Sequence, residues 1–471
     1  MHVEIGNIFS KITECSSKEL DFINGILQVS VPNHQYMPSF RNGQWDGKKS
    51  FFSVAYKTFL TGFLPFILRE AEKKKIIFIV KDTRKFIPTG DPSTLHHRYQ
   101  ILRPYQVDTL NSILTSHLRF SNQVVPFVRG VMKSHTGSGK TLMTACMVDF
   151  LHKKTLYIVD RRNLAHQTLK EFQKVTKMSV GILGDGLDNV SDITIAMIQT
   201  LKNRYKDRKF QKYLESIDLI VIDECHKISK GMYHKVLVKC PAYFRVGLSG
   251  TPLIRGDMGD LFLIADTGEV LSESNRQELE EAGHLAKPKV YIFPVTQPSG
   301  IGHSFKRAYS ELIVYNDIRN GMIIEAVKKL LKKDCNILIL VSLLDHGNIL
   351  KQMLKKAKIP SVYVHGKATS EERKVALDSI GIKRKVIIAS RIFDEGMDKS
   401  NLNALVMAGA GASSTKTIQR VGRVARPKPG ENVCYVVDFV DRNNAYLLKH
   451  SATRISTYES EGFKVHFPKQ V

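Results

Sequence analysis

The 471 residues of this chain are more than one ordinary hydrophobic core contains, so two to four domains of about 100–200 residues each are expected. The composition, 43% hydrophobic and 24% charged, excludes extensive disorder, and without an apolar run of about 18 residues to span a bilayer we expect a cytoplasmic protein. The excess of 70 Lys and Arg over 45 Asp and Glu suits a nucleic-acid partner, with a solvated basic surface as the alternative.

Residues 1–97 are predicted to form a small N-terminal α+β domain that recognises nucleic acid. Strand-like runs occur at 51–56 and 76–80, and Asp46-Gly47 between apolar stretches predicts a hairpin turn. Pro88 to Pro92 then predicts a linker. The six cysteines of the chain include no CxxC pair, which argues against a disulfide framework and a structural zinc site.

Two series of short apolar runs alternate with helical patterns in the rest of the chain. The first series is 127–133, 155–160, 193–198, 217–222 and 244–248; the second is 336–342, 361–364, 385–389, 404–408 and 433–439. Such alternation predicts α/β lobes with parallel sheets and helices on both faces. We expect lobe one at 98–270, an inter-lobe connection at 271–316 and lobe two at 317–471, with helices at 317–332 and 345–357.

A glycine-rich loop follows the first of these runs and precedes a helical pattern. It consists of Thr136, Gly137, Ser138, Gly139, Lys140 and Thr141. Strand, glycine loop and helix in this order are typical of a phosphate site, because backbone N–H groups and the helix N-terminus surround the phosphate oxygens. Lys140 is predicted to meet the β- and γ-phosphates of ATP, and Thr141 to bind Mg²⁺. The strict pattern has glycine at 134, where this chain has Ser134.

Two carboxylates, Asp223 and Glu224, follow the buried apolar run that ends at residue 222. We expect Asp223 to hold Mg²⁺, mostly through water, and Glu224 to orient or deprotonate the attacking water. An Asp-Glu pair after a strand is otherwise a common solvated turn. The interpretation therefore depends on the pairing with Lys140.

Arginines at three-residue spacing, Arg420, Arg423 and Arg426, are expected on one helix face in the second lobe. Such arginines can stabilise the charge that spreads over a γ-phosphate in the transition state. A solvated basic helix is the alternative.

In their order along the chain, these segments resemble the superfamily-two helicases over about residues 100–445. The matching segments are Gln106 with the adenine-reading glutamine, 136–141 with motif I, 223–226 with the DExH form of motif II, 249–251 with motif III, 364–366 and 389–398 with motifs IVa and V, and 419–426 with motif VI. The resemblance implies two RecA-like lobes that hydrolyse ATP while moving along nucleic acid.

The resemblance also implies roles for individual residues. Gly396 and Asp398 contact ATP or its sugar, and Arg423 and Arg426 act as arginine fingers. Ser249, Thr251 and Gln419 couple the nucleotide site to movement. Arg161, Gln199 and Thr200 contact the nucleic-acid backbone.

The stretch 40–47, with Leu64-Pro65-Phe66 after it, resembles the front domain of phage UvsW-type helicases. This implies a phage enzyme acting in the host cytoplasm as a monomer, 3′ to 5′, on forks, Holliday-type junctions and R-loops. Trp45 would stack on an unpaired base or belong to the core of that domain. A double-stranded DNA translocase, an RNA helicase and a binding module with a vestigial ATP site remain alternatives.

Overall fold

The computed structural model describes residues 1–135, 137–230, 232–252, 258–295, 304–366, 368–390, 401–425, 432–442 and 444–467. Met1–His135 and Gly139–Ser274 belong to one compact unit, and Asn275–Val471, together with residues 137–138, belongs to a second. None of the helices in these ranges combines the length and hydropathy that crossing a bilayer requires.

The N-terminal part of the first unit is a mixed sheet with helices. Its elements are β1 (His2–Ile5), β2 (Phe9–Glu14), α1 (Ser17–Ile26), β3 (Gln28–Ser30), α2 (Pro38–Arg41), β4 (Lys48–Ser50), β5 (Phe52–Ser53), β6 (Thr58–Leu60), α3 (Leu64–Lys73) and β7 (Ile79–Asp82). Five strands pair in the order β5-β6-β2-β1-β7. The predicted hairpin is wrong: Asp46-Gly47 leads into β4, but β4 pairs with β3, and residues 31–47 separate the two strands.

The rest of the first unit is an α/β lobe. Its elements are α4 (Leu95–Arg98), α5 (Pro104–Leu114), β8 (His117–Arg119), β9 (Val124–Pro126), β10 (Arg129–Lys133), α6 (Lys140–Leu151), β11 (Thr155–Val159), α7 (Arg162–Val175), β12 (Val180–Gly184), β13 (Leu187–Asp188), β14 (Ile193–Met197), α8 (Ile198–Arg204), α9 (Arg208–Glu215), β15 (Leu219–Ile222), α10 (Met232–Leu237), β16 (Phe244–Ser249), α11 (Met258–Asp266) and β17 (Val270–Glu273).

Eight of these strands form one sheet in the order β13-β12-β14-β11-β15-β16-β10-β17. All neighbours run parallel except β12 and β13. Residues of β11 and β15 are buried on both faces, as expected for strands covered by helices on either side. The five strands predicted for this lobe are confirmed.

The second unit is another α/β lobe. Its elements are α12 (Arg276–Glu281), β18 (Lys287–Val295), α13 (Phe305–Tyr309), α14 (Asp317–Lys332), β19 (Ile337–Leu340), α15 (Leu344–Lys356), β20 (Ser361–Val364), α16 (Ser370–Asp378), β21 (Val386–Ala389), β22 (Ala404–Val406), α17 (Ser414–Val424), β23 (Val433–Asp441), α18 (Ala445–Ser460) and β24 (Lys464–His466).

Seven strands pair in parallel in the order β20-β21-β19-β22-β23-β18-β24. The five strands and two helices predicted for lobe two are confirmed. Strand β18 lies in the segment 271–316, which was predicted to be the inter-lobe connection. In the structure β18 pairs along its whole length with β23. The two units are therefore both parallel α/β sheets, the two RecA-like lobes that were expected.

Candidate ATP site

The glycine loop connects β10 to α6 at the carboxyl edge of the first sheet. Gly137 and Gly139 have φ of 90° and 83°, a left-handed conformation that favours glycine. Lys140, the first residue of α6, donates from Nζ to the carbonyls of Ser134 at 2.9 Å and His135 at 3.1 Å. Because Gly139 is the N-cap, no side chain caps the first turn of α6, which leaves its N–H groups for a phosphate. Thr136 lies outside the described residues.

Gln106 lies against this loop although 33 residues separate it from Gly139 (139 − 106). Its side chain is buried, and its Oε1 accepts from the backbone N–H of Arg103 at 2.8 Å. A Cβ at Gly139 would lie 2.5 Å from Gln106 Nε2, so a side chain at 139 would displace the amide of Gln106. The structure thus brings the predicted adenine-reading glutamine and the phosphate loop together.

Asp223 and Glu224 follow β15 at the same edge of the sheet. Asp223 is 7% exposed, and one of its carboxylate oxygens accepts from the backbone N–H of Glu224 at 2.9 Å. Burial raises the pKa of Asp223, the charge of Glu224 raises it further, and Lys140 lowers it. A buried carboxylate beside a second one suits a divalent cation, and Mg²⁺ typically uses one or two carboxylates together with phosphate oxygens. The residues therefore fit the expected ion.

Glu224 begins a chain of hydrogen bonds that the sequence did not predict. It has φ of 49°, an uncommon conformation for a residue with a side chain, as occurs at functional sites. Its Oε2 lies 3.2 Å from Nδ1 of His226, and that nitrogen lies 3.0 Å from Oγ of Ser249. The same hydroxyl accepts from the backbone N–H of Thr251 at 3.1 Å. The Ser249 carbonyl accepts from the Ser134 N–H at 3.0 Å, which links the chain to the glycine loop.

His226 belongs to the DExH segment of the sequence, but no role was predicted for it. The structure shows that this histidine joins the carboxylates to Ser249 and Thr251, the two residues predicted to couple hydrolysis to movement. The DExH pattern itself was the signal that could have identified it.

Two of the residues that were predicted to contact the nucleic-acid backbone lie beside Asp160, which follows β11. Gln199 donates from Nε2 to the Asp160 carbonyl at 3.1 Å, and Nε of Arg161 lies 3.4 Å from the Asp160 carboxylate. Lys227 also pairs with that carboxylate and was not predicted. Thr200 is half-buried in α8. The cluster lies at the carboxyl ends of three adjacent strands, β14, β11 and β15.

Trp45 lies apart from that cluster, in the N-terminal part of the unit. Its indole N–H donates to the Lys48 carbonyl at 2.7 Å, and its ring is partly exposed. Trp45 is not among the residues of the hydrophobic core beside β1 and α3. The ring is therefore not a core residue, and base stacking remains a prediction.

Motif-VI residues lie on α17 in the second unit. Val421 and Val424 are buried in the core, while Gln419 and Arg423 are partly exposed. The helix thus has the predicted polar face. Arg426, Gly396 and Asp398 lie outside the described residues, and their roles remain predictions.

Two family models match the chain in the expected order. The first, described as the res subunit of type III restriction enzymes, matches residues 100–254, and the second, the helicase conserved C-terminal domain, matches residues 322–428. The chain belongs to the superfamily-two helicases. Its enzymatic core is accordingly that of an ATP-driven helicase.

Two relatives of this helicase come from a virus and an archaeon. A viral protein described as helicase 22, from Sulfolobus islandicus filamentous virus, is 25% identical over 76% of this chain and 67% of its own length. A protein of Halobacterium salinarum described as the DNA 3′-5′ helicase Rad25 is 26% identical over 74% of this chain and 56% of its own length. The helicase thus spans about half to two thirds of these relatives.

A superposition on the crystal structure of T4 UvsW covers 99% of both chains, with 19% sequence identity and a TM-score of 0.49.

Proposed function

We propose that this helicase hydrolyses ATP to move along DNA and to unwind or branch-migrate forks, Holliday-type junctions and R-loops, travelling 3′ to 5′. The observation that carries the proposal is the convergence of Gln106, Lys140, Asp223 and Glu224 at one edge of one sheet. The net charge of +25 supports a polyanionic track. The 3′ to 5′ direction is supported by the description of the Halobacterium relative.

The residues of the first unit suggest how hydrolysis proceeds. The amides of the glycine loop and of α6 bind the phosphates, and Lys140 exchanges the carbonyls of 134 and 135 for phosphate oxygens. Asp223 and Thr141 would hold Mg²⁺, which would supply positive charge beside the phosphates. Glu224 orients the attacking water and accepts its proton, while Arg423 and Arg426 stabilise the charge on the γ-phosphate.

Coupling to movement follows from the contact between His226 and Ser249. Glu224 loses a neighbouring negative charge when the γ-phosphate leaves. Its Oε2 lies 3.2 Å from Nδ1 of His226, and the same nitrogen forms a hydrogen bond with Oγ of Ser249. Through the N–H of Thr251, a displacement of Ser249 reaches the segment after β16. We propose that this path links the state of the nucleotide to the grip on DNA.

The test combines one variant with a panel of nucleic acids. Lys140→Ala should abolish DNA-stimulated phosphate release, whereas Lys177→Ala, which removes an exposed lysine after α7, should not. Single strand, duplex, fork, four-way junction and RNA are compared at one salt concentration, because backbone binding falls steeply with salt. Hydrolysis that survives Lys140→Ala overturns the proposal.

The panel also separates the alternatives. Fork-stimulated hydrolysis without strand displacement identifies a double-stranded DNA translocase, and stimulation by RNA alone identifies an RNA helicase. Because one relative is viral, we further propose that the helicase acts in a host cytoplasm, as a monomer. Analytical ultracentrifugation of the protein bound to forked DNA tests whether it acts as a monomer.

A further inference from the structure

A cavity of about 420 Å³ opens in the second unit, and Arg420, one of the three motif-VI arginines, is part of its lining. Two loop segments, 342–343 and 410–413, line it together with Phe305, Lys416 and Arg420. Lys306 and Tyr309 complete the part of the lining that matters here. The volume lies in the range of pockets that hold a small organic ligand.

The cavity lies where the topology of the sheet predicts a ligand. Strands β19 and β22 are parallel neighbours. After β19 the chain turns to β20 and β21 on one side, and after β22 it turns to β23 on the other. Open α/β sheets bind ligands outside the carboxyl ends of strands at such a switch point. Segments 342–343 and 410–413 are the loops that follow these two strands.

Buried contacts hold the two loops in place. A Cβ at Gly409 would lie 2.7 Å from the backbone nitrogen of Ser342, so the loops approach as closely as glycine allows. Buried Arg319 donates to the Ala408 carbonyl at 2.6 Å, and buried Arg454 donates to the Gly411 carbonyl at 2.8 Å. The floor of the cavity is therefore preorganised.

The lining has a definite chemistry. It includes three cations, Lys306, Lys416 and Arg420, and no carboxylate among the described residues. Lys306 and Lys416 have no ion pair within the described part of the chain. Phe305 is 41% exposed, and its ring packs against His450 at 5.1 Å and Tyr309 at 5.8 Å between centroids. A ligand that matches these groups has an anionic part and a flat aromatic part.

We infer that this cavity binds one nucleotide, with its base stacked on Phe305 and its phosphate held by Lys416 and Lys306. The inference rests on the proposed function, because a strand passing along the second unit would supply such a nucleotide as an unpaired base. A free mononucleotide has the same chemistry and is the other source.

The test measures strand binding by the full-length protein without ATP. Fluorescence anisotropy compares an oligothymidine with a strand of equal length in which abasic sites replace the bases. Phe305→Leu, which keeps an apolar side chain, should weaken binding of the oligothymidine roughly tenfold and of the abasic strand less than twofold, because only the first can stack. Phe305→Trp should restore binding.

Lys416→Ala should weaken the binding of both strands. It should also reduce the magnitude of the slope of log affinity against log salt by about 0.7, as expected for one lost phosphate contact. Lys332→Ala is the matched control. It removes an exposed lysine at the C-terminal end of α14, which contributes no residue to the cavity lining, and should leave the slope unchanged. Thermal melting of each variant checks that it is folded.

The source is identified by equilibrium dialysis with thymidine monophosphate in a Lys140→Ala background. Millimolar binding that Phe305→Leu removes supports a free nucleotide, and a Phe305 effect on the strand alone supports an unpaired base. The inference is overturned if Phe305→Leu affects both strands equally or neither. These binding assays contain no ATP, so a negative result would not affect the proposal that the protein hydrolyses ATP. Conversely, a wild-type protein that does not hydrolyse ATP could still be tested for nucleotide binding in the cavity.

Discussion

The two units place different chemistry on the same edge of the same kind of sheet. In the first unit the carboxyl edge carries Gly139, Lys140 and the carboxylates Asp223 and Glu224. In the second, lysines and aromatic rings on α13 and α17 surround a cavity beside the loops that follow β19 and β22. Because backbone topology is shared, the side chains after the strands decide what each edge can bind.

Buried carboxylates differ between the units in the same way. Asp438 and Asp441 of the second unit pair with the buried guanidinium groups of Arg454 and Arg319 at 2.8 and 2.9 Å. Asp223 of the first unit has a neighbouring carboxylate instead, and burial raises its pKa. The buried carboxylate of Asp223 therefore suits a functional site, whereas Asp438 and Asp441 bind the arginines that hold the loops beside the cavity.

The largest expected effect tests whether the second unit contributes to hydrolysis. Arg423→Ala should lower DNA-stimulated phosphate release about 10³-fold, because an arginine finger stabilises charge that develops only in the transition state. Binding of a fluorescent ATP analogue should stay unchanged. An equal loss of ATP-analogue binding and of hydrolysis would instead show that Arg423 already contacts the nucleotide in the ground state.

A second variant removes the expected base from the first unit. Glu224→Gln keeps the shape of the side chain and should lower hydrolysis about 10²-fold, as expected for loss of a general base. Nucleotide binding should persist, since Lys140 and the glycine loop are intact. Single-turnover phosphate release measures the effect, and a rate within threefold of wild type would contradict the role.

The pH dependence of stability should differ between the units. His346 of the second unit is buried, its Nε2 lies 2.9 Å from Oδ1 of Asn320, and burial, with the charge of Arg319, lowers its pKa to about 3. Below about pH 6.5 the unfolded chain binds a proton that the folded chain does not, so stability falls by about 1.4 kcal/mol per pH unit. At pH 5 the loss should reach about 2 kcal/mol.

Denaturant titrations at pH 7 and pH 5 measure this loss. His346→Gln should show a correspondingly smaller loss between the two pH values, whereas His96→Gln, at an exposed histidine of the first unit, should behave as wild type. Identical pH slopes for all three proteins would show that His346 is protonated in the folded state.

The smallest expected effect concerns coupling. Ser249→Ala removes the hydroxyl that bonds both His226 and the N–H of Thr251. We expect about tenfold slower strand displacement, a change of about 1.4 kcal/mol in the range of one hydrogen bond, with hydrolysis within threefold of wild type. Equal losses of both activities would place Ser249 in hydrolysis rather than in coupling.

The sequence by itself determined the parts of the protein that depend on local order. Strand, glycine loop and helix follow one another around Lys140, and a run of four apolar residues precedes Asp223, so both motifs and the strands beside them were predictable. Helix α14 was also predictable, because its apolar positions recur at helical spacing.

Only the tertiary structure decided which distant residues meet. Gln106 against Gly139, His226 against Ser249, and the cavity between 342–343 and 410–413 depend on strand order, which local patterns do not encode. Strand β18 was missed because Pro288 and Pro294 interrupt its pattern, and pairing with β23 and β24 outweighs that local preference. Residues that are neighbours in the sheet but far apart in the chain therefore determine both the ATP site and strand β18.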